Sequence, residues 1–326
     1  MELEKLRIMV TGGAGFIGSH LVDKLIKRNN RVIVYDNFNE YYFGKENNIR
    51  HHFGKSNFTL IRADILDVAT LCKAMKDLDI VFHLAAQPGV GFSMKNPLKT
   101  HTVNTTGTLN VLNVARKMRT KKIVFVSSSS VYGIPQYTPL DEKHPTHPVS
   151  VYGISKLTAE KYCKIFNDLL DVPMVSLRYH TVYGPRQRPD MAIYKWTKLV
   201  CEDKSPVIYG DGKQSRDFTY ISDIVEATLS AAELDEVEGE VFNVGSGTKI
   251  TINRVVNLLL KLTGKECLEP VYEVSRVGDV PVTHADISKA KMLLRYTPKV
   301  TLKNGIERFL KWYSEYTCAR ADQLTT

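Results

Sequence analysis

The sequence predicts an α/β protein built around a doubly wound parallel sheet of about seven strands. Short apolar runs alternate with helical patterns along most of the chain. The first apolar run is followed at once by a glycine-rich turn, and then by a helix with leucine, isoleucine and valine on one face. Strands that alternate with helices in this way pair in parallel and carry helices on both faces of the sheet.

Each strand candidate is a short apolar run bounded by polar residues or glycine. The candidates are residues 6–10, 31–35, 58–62, 80–84, 122–126, 174–178 and 241–244. From residue 251 onward the patterns are helical, and no second glycine-rich turn occurs there. This change predicts a smaller, sequence-discontinuous C-terminal lobe beside the sheet.

The turn after the first strand carries Gly12, Gly15 and Gly18. Strand, glycine-rich turn and helix in this order are typical of a Rossmann-type dinucleotide site, where the helix N-terminus faces the phosphates. The second strand ends at Asp36, whose carboxylate would accept hydrogen bonds from ribose hydroxyls and repel a 2′-phosphate. Asn37 follows it rather than an arginine, so we expect NAD rather than NADP. A turn aspartate with no ligand is the structural alternative.

Tyr152 and Lys156 lie four residues apart at the start of a helical pattern, so they share one helical face. A phenol has an ordinary pKa of about 10, and a neighbouring ammonium stabilises the phenolate. We expect the pair to take a proton from a substrate hydroxyl and to return it later. The same spacing also occurs by chance on helices, so this interpretation depends on the other motifs.

Composition narrows the function classes. The chain has 326 residues and a formal net charge of +9. No zinc-finger or RNA-binding signature accompanies that charge, so we expect no nucleic-acid partner, and the charge suits an anionic substrate instead. The sequence has no apolar run long enough to cross a membrane. The five scattered cysteines form no C-x-x-C pair, which predicts reduced thiols, a cytoplasmic location and no metal site.

Over about residues 6–315 the chain resembles the extended short-chain dehydrogenase/reductases, in particular their NAD-dependent nucleotide-sugar epimerases and dehydratases. The resemblance includes the glycine-rich turn, Asp36 and residues 64–65, 83–86, 104, 127–133, 152–156 and 216–220. It implies an NAD-binding domain at residues 1–180 with about 215–248. About 181–214 and 249–326 would then form a nucleotide-sugar-binding lobe. Relatives commonly dimerise through the helices that bear Asn104 and Tyr152, which implies a homodimer.

The resemblance also assigns roles. Tyr152 would exchange a proton with the C4 hydroxyl of the sugar while hydride passes to the nicotinamide, and Ser128 would donate to that hydroxyl. Lys156 would also bind the nicotinamide ribose, whereas His83 would be structural. The implied NAD contacts are Gly12, Gly15, Phe16, Ile17, Gly18, Asp36, Asn37, Asp64, Ile65, Leu84, Ala85, Ala86, Tyr152 and Lys156.

Two serines bear on the reaction type. Ser129 and Ser130 stand where the family's dehydratases carry Asp-Glu and its decarboxylases carry a Glu. Neither hydroxyl can do the work of a carboxylate. The remaining course is epimerisation, in which the 4-keto sugar turns about its phosphate linkage and hydride returns to the opposite face.

Residues 178–192 resemble the UDP-glucuronate 4-epimerases. A sugar carboxylate requires donors, and arginine offers a bidentate fork. The resemblance and this requirement give the candidate ligands Ser129, Ser130, Thr181 and Arg188, while Arg216 and Arg276 resemble residues that clamp the UDP diphosphate. His180 departs from this branch, in which phenylalanine is expected.

Other interpretations remain open. A UDP-glucose or UDP-N-acetylglucosamine 4-epimerase would share the chemistry, although a neutral sugar would leave an arginine unpaired. A UDP-glucuronate decarboxylase is a third enzyme reading. Arg186 and Arg188 could instead be exposed residues of a proline-flanked loop. A non-catalytic NAD-binding regulator is the alternative from another class, and the presence of Ser128, Tyr152 and Lys156 argues against it.

Overall fold

The computed structural model describes residues 2–324. Its centre is one parallel sheet of seven strands, and each of them lies at a position that the sequence predicts. The sheet strands are β1 (Arg7–Thr11), β2 (Arg31–Asp36), β3 (Phe58–Arg62), β4 (Ile80–His83), β5 (Lys122–Ser128), β6 (Met174–Tyr179) and β11 (Val241–Val244). They are arranged in the order β11-β6-β5-β4-β1-β2-β3, so the predicted doubly wound sheet is confirmed.

Six shorter strands form three two-stranded sheets, which the sequence analysis did not predict. They are β7 (Thr181–Tyr183), β8 (Val207–Tyr209), β9 (Ser215–Arg216), β10 (Phe218–Tyr220), β12 (Ile250–Thr251) and β13 (Val271–Glu273). Each has only two or three residues, which is too short for an alternating pattern to stand out.

Helices cover both faces of the sheet. They are α1 (Phe16–Lys27), α2 (Val68–Ala74), α3 (Val90–Lys95), α4 (Pro97–His101), α5 (Gly107–Met118), α6 (Val151–Leu170), α7 (Ala192–Cys201), α8 (Ile221–Glu233), α9 (Ile252–Thr263), α10 (Ser288–Leu293) and α11 (Leu302–Leu324). Within residues 2–324, no helix is long and apolar enough to span a bilayer.

The helix α5 packs on the sheet with its apolar face. Val111, Leu112, Val114 and Ala115 are buried in the same cluster as Val81 of β4 and Ile123 and Phe125 of β5. These α5 side chains therefore belong to the monomer core and are not free to form a dimer surface. On α6, by contrast, three exposed apolar side chains share one helical face. They are Ile154, Ile165 and Leu169.

The strand order fixes where the site lies. The strand order reverses between β1 and β4, which pair side by side. The chain leaves β1 for β2 toward one edge of the sheet, and it leaves β4 for β5 toward the other edge. In such sheets a crevice opens at the carboxyl ends of the strands at this reversal. The ends of β1, β2, β4, β5 and β6 all face this crevice.

Candidate active site

One cavity at the carboxyl ends of the strands brings together nearly all the predicted site residues. Every residue predicted for catalysis and for NAD lines it. The lining includes Gly12, Gly15, Phe16, Ile17, Gly18, Asp36, Asn37, Asp64, Ile65, Leu84, Ala85, Ala86, Ser128, Ser129, Ser130, Tyr152, Lys156, Thr181 and Arg188. Only Arg216 and Arg276 of the predicted set lie outside this lining.

The glycine-rich turn is tightly packed, as the approach of a diphosphate requires. A Cβ on Gly18 would lie 2.3 Å from the Gly12 carbonyl oxygen, and one on Gly12 would lie 2.8 Å from the Ala85 nitrogen. Gly15 precedes α1 and gives the helix no side-chain cap. Apart from the Phe16 N–H, which donates to the Tyr42 hydroxyl, the first N–H groups of α1 are therefore left for other acceptors at the cavity, which is the arrangement that binds anions.

The end of β2 supplies the carboxylate predicted for the ribose. Asp36 is buried, and its two oxygens accept hydrogen bonds from the backbone of Ala14 (3.1 Å) and Phe38 (2.8 Å). Burial raises its pKa, while the charge of Lys45 lowers it. The Asn37 amide donates to Asp64 at 2.7 Å, which ties the ends of β2 and β3 together. Because carboxylate oxygens can accept several hydrogen bonds, these residues fit an NAD ribose.

The helix α6 carries the predicted catalytic pair and begins beside the turn formed by Ser128–Ser130, here called the serine turn. Ser150 caps it by accepting from the Gly153 N–H at 3.0 Å, and a Cβ on Gly153 would lie 2.5 Å from the Ser130 carbonyl oxygen. Glycine at 153 thus lets the helix start directly against the turn. Ser128 accepts from the Ser130 N–H at 3.1 Å, so the turn is internally hydrogen-bonded. Ser128 and Tyr152 consequently reach the cavity together.

The Tyr152 phenol lies near a cation that the sequence analysis assigned to the substrate, the guanidinium of Arg188. Burial raises the pKa of Tyr152, and the charge of Arg188 and a hydrogen bond with Ser128 act in the opposite direction. The Lys156 ammonium donates to the Val126 carbonyl at 2.7 Å, and burial lowers its own pKa to about 8. Arg188 is thus a cation that acts on the phenol, and the effect of Lys156 on the pKa of Tyr152 stays a prediction.

Arg188 and Arg186 leave the same loop in different directions, and neither is freely exposed. The side chain of Arg188 is 16% exposed and lines the cavity. Arg186 instead pairs with Asp23 of α1 at 2.9 Å. Asp23 also accepts hydrogen bonds from His51 and His52 at 2.8 and 2.7 Å. This network fixes the loop from outside the cavity while Arg188 points inward.

The two remaining arginines meet at a different place. Arg216 of β9 pairs with Asp279, and the guanidinium of Arg276 lies 3.6 Å from the centre of the Tyr209 ring. The Asp279 N–H donates to the Arg276 carbonyl at 3.2 Å, so the two arginines flank one turn. The structure thus places them together outside the cavity lining, on a turn that comes close to the start of α6: a Cβ on Gly278 would lie 3.4 Å from the Val149 carbonyl oxygen.

Two histidines near the site differ in their bonding. His83 bridges Thr11 (2.7 Å) and Thr108 (3.0 Å), and burial lowers its pKa to about 3. It is a buried, neutral link between β1 and α5. His180 is also buried, and burial lowers its pKa against the opposing effects of Asp217 and Asn243. Its two ring nitrogens make no hydrogen bond of good geometry among the described residues. Asn104 links Gln87 with Ser155, to which it donates at 2.9 Å.

Sequence reasoning missed Tyr41 and Tyr42, which also line the cavity. The Tyr42 hydroxyl accepts the Phe16 N–H at 3.2 Å, at the start of α1. The Tyr41 hydroxyl donates to Asp190 at 2.9 Å, on the loop that carries Arg188. An adjacent pair of tyrosines shortly after the acidic end of β2 was visible in the sequence, but its partners lie far away along the chain.

Comparison with known proteins agrees with this geometry. The family model described as GDP-mannose 4,6 dehydratase matches residues 9–309. UDP-glucuronate 4-epimerase 4 of Arabidopsis thaliana is 35% identical over 331 residues, which cover 95% of this chain and 76% of the relative.

Two solved structures are also similar to this chain. One is UDP-glucuronic acid 4-epimerase from Bacillus cereus in complex with UDP-glucuronic acid and NAD. It superposes with a TM-score of 0.90 at 39% identity, covering 95% of this chain and all (100%) of that one. The other is UDP-glucose 4-epimerase from Thermotoga maritima with UDP-glucose, with a TM-score of 0.89, 36% identity and coverage of 96% and 100%. The chain therefore belongs to the GDP-mannose 4,6 dehydratase family of extended short-chain dehydrogenase/reductases.

Proposed function

We propose that this protein is an NAD-dependent 4-epimerase of a UDP-sugar and that it interconverts UDP-glucuronate and UDP-galacturonate. The observation that carries the proposal is the composition of one cavity wall. Arg188, Thr181, Ser129 and Ser130 line the same cavity as Tyr152, and the serine positions provide no carboxylate. The similarity to the Bacillus cereus epimerase, which binds UDP-glucuronic acid and NAD, supports the same substrate.

The proton steps belong to Tyr152 and Ser128. Tyr152 takes the proton of the C4 hydroxyl and later returns it, and Ser128 donates to the same oxygen. The charge of Arg188 favours the phenolate form that this step requires. When bound, NAD would supply the redox chemistry at C4 as the acceptor and donor of hydride. The glycine-rich turn, the start of α1 and Asp36 would hold this cofactor.

The proposed substrate makes a further demand on the cavity wall. The 4-keto form of glucuronate is a β-keto acid, which loses CO₂ easily when the carboxylate bond to C5 aligns with the carbonyl π system. An arginine fork with serine and threonine hydroxyls would hold the carboxylate out of that alignment. No acid at positions 129 or 130 is available to protonate the enolate that decarboxylation would leave.

A neutral UDP-hexose is the second candidate substrate. Arg188 Nε lies 3.3 Å from Asp190, so a sugar without a carboxylate would not leave the guanidinium without a counter-charge. The similarity to the Thermotoga maritima enzyme with UDP-glucose supports this alternative. The reaction at C4 would be the same.

The remaining assignments extend this proposal. Arg216 and Arg276 would bind the UDP diphosphate, and the two-lobe division predicted from the sequence would place that diphosphate against the smaller lobe. A homodimer would bury the exposed apolar face of α6, which includes Ile154, Ile165 and Leu169. A cytoplasmic location is supported by the five cysteines, all of which are free thiols.

Replacement of Arg188 tests the carboxylate-holding role. We expect Arg188→Ala to lose most turnover of UDP-glucuronate, or to release CO₂ and UDP-pentose, because the carboxylate is no longer held. Products would be resolved by chromatography and NMR. A variant that epimerises UDP-glucuronate at the wild-type rate without CO₂ release would contradict this role for Arg188.

A further inference from the structure

The segment after β2 reaches the loop that carries Arg188, and this contact has a functional consequence. We propose that Tyr41 is a positioning residue which sets the guanidinium of Arg188 through Asp190 and thereby determines the preference for a sugar acid over a neutral sugar. This inference rests on the proposed function, because it concerns the carboxylate of the same substrate. Tyr41 does not need to touch the substrate to have this effect.

Three contacts define the arrangement. The Tyr41 hydroxyl donates to Asp190 Oδ2 at 2.9 Å. The other oxygen, Oδ1, lies 3.3 Å from Arg188 Nε. The guanidinium carbon of Arg188 lies 5.7 Å from the centre of the Tyr41 ring. Asp190 thus forms an ion pair with the guanidinium on its Nε side. Within the described residues the two terminal amino groups of Arg188 make no hydrogen bond, and that fork is the part that matches a carboxylate.

The position of Tyr41 is itself tightly defined. Its ring meets Phe92 edge-on, with ring centres 5.2 Å apart. Gly89 has a φ of +101°, and a Cβ there would lie 2.6 Å from the Tyr41 hydroxyl oxygen. The hydroxyl therefore occupies space that only glycine leaves open. Burial, together with the Asp190 charge, raises the pKa of Tyr41 to about 12, so the hydroxyl remains a donor at neutral pH.

The contact affects acidic and neutral sugars differently. Without the Tyr41 hydroxyl, Asp190 Oδ2 loses its donor and the carboxylate is free to turn toward the terminal amino groups of Arg188. It would then compete with the carboxylate of the substrate for the same fork. A neutral hexose has no carboxylate that binds this fork, so a rotated Asp190 would not compete with it. The loss should therefore fall on UDP-glucuronate alone, whereas a general structural defect would weaken both sugars.

The test compares the dissociation constants for UDP-glucuronate and UDP-glucose, measured by calorimetry at saturating NAD in a Tyr152→Phe background that blocks turnover. Tyr41→Phe should weaken UDP-glucuronate binding by about tenfold, the effect of one hydrogen bond to a charged group, and leave UDP-glucose binding within about twofold. Asp190→Asn combined with Tyr41→Phe should add little to the loss from Asp190→Asn alone, because both act on Arg188 by one route.

A matched control exists in the chain. Tyr137 donates to Asp141 at 2.9 Å, and this pair is exposed and outside the cavity lining. Tyr137→Phe should leave both dissociation constants unchanged. Equal weakening of both sugars by Tyr41→Phe, or no weakening, would overturn the inference while wild-type turnover of UDP-glucuronate still supports the proposed function. Absence of that wild-type turnover would overturn both.

Discussion

Glu160 of α6 and Arg178 of β6 form a buried ion pair, and Glu160→Gln is a direct test of how much this pair contributes to stability. The side chains of Glu160 and Arg178 are 3% and 5% exposed. Glu160 lies one and two turns beyond Lys156 and Tyr152 on α6. Its carboxylate accepts from Arg178 Nε at 3.0 Å and from Ser127 at 2.8 Å. The pair therefore joins α6 to β5, which ends at the serine turn, and to the neighbouring strand β6.

The expected loss in the free energy of unfolding follows from the charge of Arg178, which the substitution leaves without its counter-charge. Removing one member of a buried ion pair costs about 3–5 kcal/mol, because the other charge stays buried without a counter-charge. Glutamine keeps one carbonyl oxygen for Arg178 or for Ser127, so we expect the lower end, about 3 kcal/mol. Replacing both charges, as in Glu160→Leu with Arg178→Met, should cost less than the single change, because no unpaired charge is left.

Urea denaturation with linear extrapolation of the free energy of unfolding would measure these differences. Asp168→Asn is the control on the same helix, since the Lys164–Asp168 pair is exposed and contributes little. A loss below about 1 kcal/mol for Glu160→Gln would refute the reasoning, because it would mean that the Arg178 charge finds another partner.

Other substitutions give further outcomes. His180→Phe should raise the free energy of unfolding by about 1 kcal/mol, because it removes two buried ring nitrogens that make no hydrogen bond of good geometry among the described residues; an unchanged or lower free energy of unfolding would contradict this. Gly18→Ala should abolish NAD binding measured by calorimetry, since the added Cβ would lie 2.3 Å from the Gly12 carbonyl oxygen; wild-type affinity would contradict this. The pKa of His83 is lowered to about 3 in the folded chain, so the unfolded chain binds the proton more readily. The contribution of neutral His83 to the free energy of unfolding is therefore fully present above its unfolded pKa and falls as the pH drops below that value. Denaturation at pH 6 and pH 4 should show a loss of about 1.4 kcal/mol per pH unit from this group, and His83→Gln should flatten that slope.

The sheet could be predicted because its seven strands are local signals. Runs such as residues 58–62 and 122–126 are apolar enough to stand out, and their alternation with helices leaves few topologies. The position of the cavity could be predicted in the same way, because the motifs lie at the carboxyl ends of strands and these ends meet at one edge of a parallel sheet.

The contacts between distant segments could not be predicted in this way. Tyr41 and Asp190 are 149 positions apart, and neither belongs to a regular pattern that would indicate a partner. The direction of the Lys156 ammonium was also beyond the sequence, because helical spacing fixes the face of a helix but not the acceptor that the side chain reaches. Nor could the sequence show that the apolar side chains of α5 pack on the sheet, which their burial establishes.

The central claim is that this chain epimerises a UDP-sugar acid at C4 without losing its carboxylate. The most direct measurement is incubation of the purified protein with UDP-glucuronate and NAD, with products resolved by chromatography and NMR. The account predicts a mixture of UDP-glucuronate and UDP-galacturonate, without UDP-pentose. Conversion only of UDP-glucose or UDP-N-acetylglucosamine, or UDP-xylose as the main product, would contradict it.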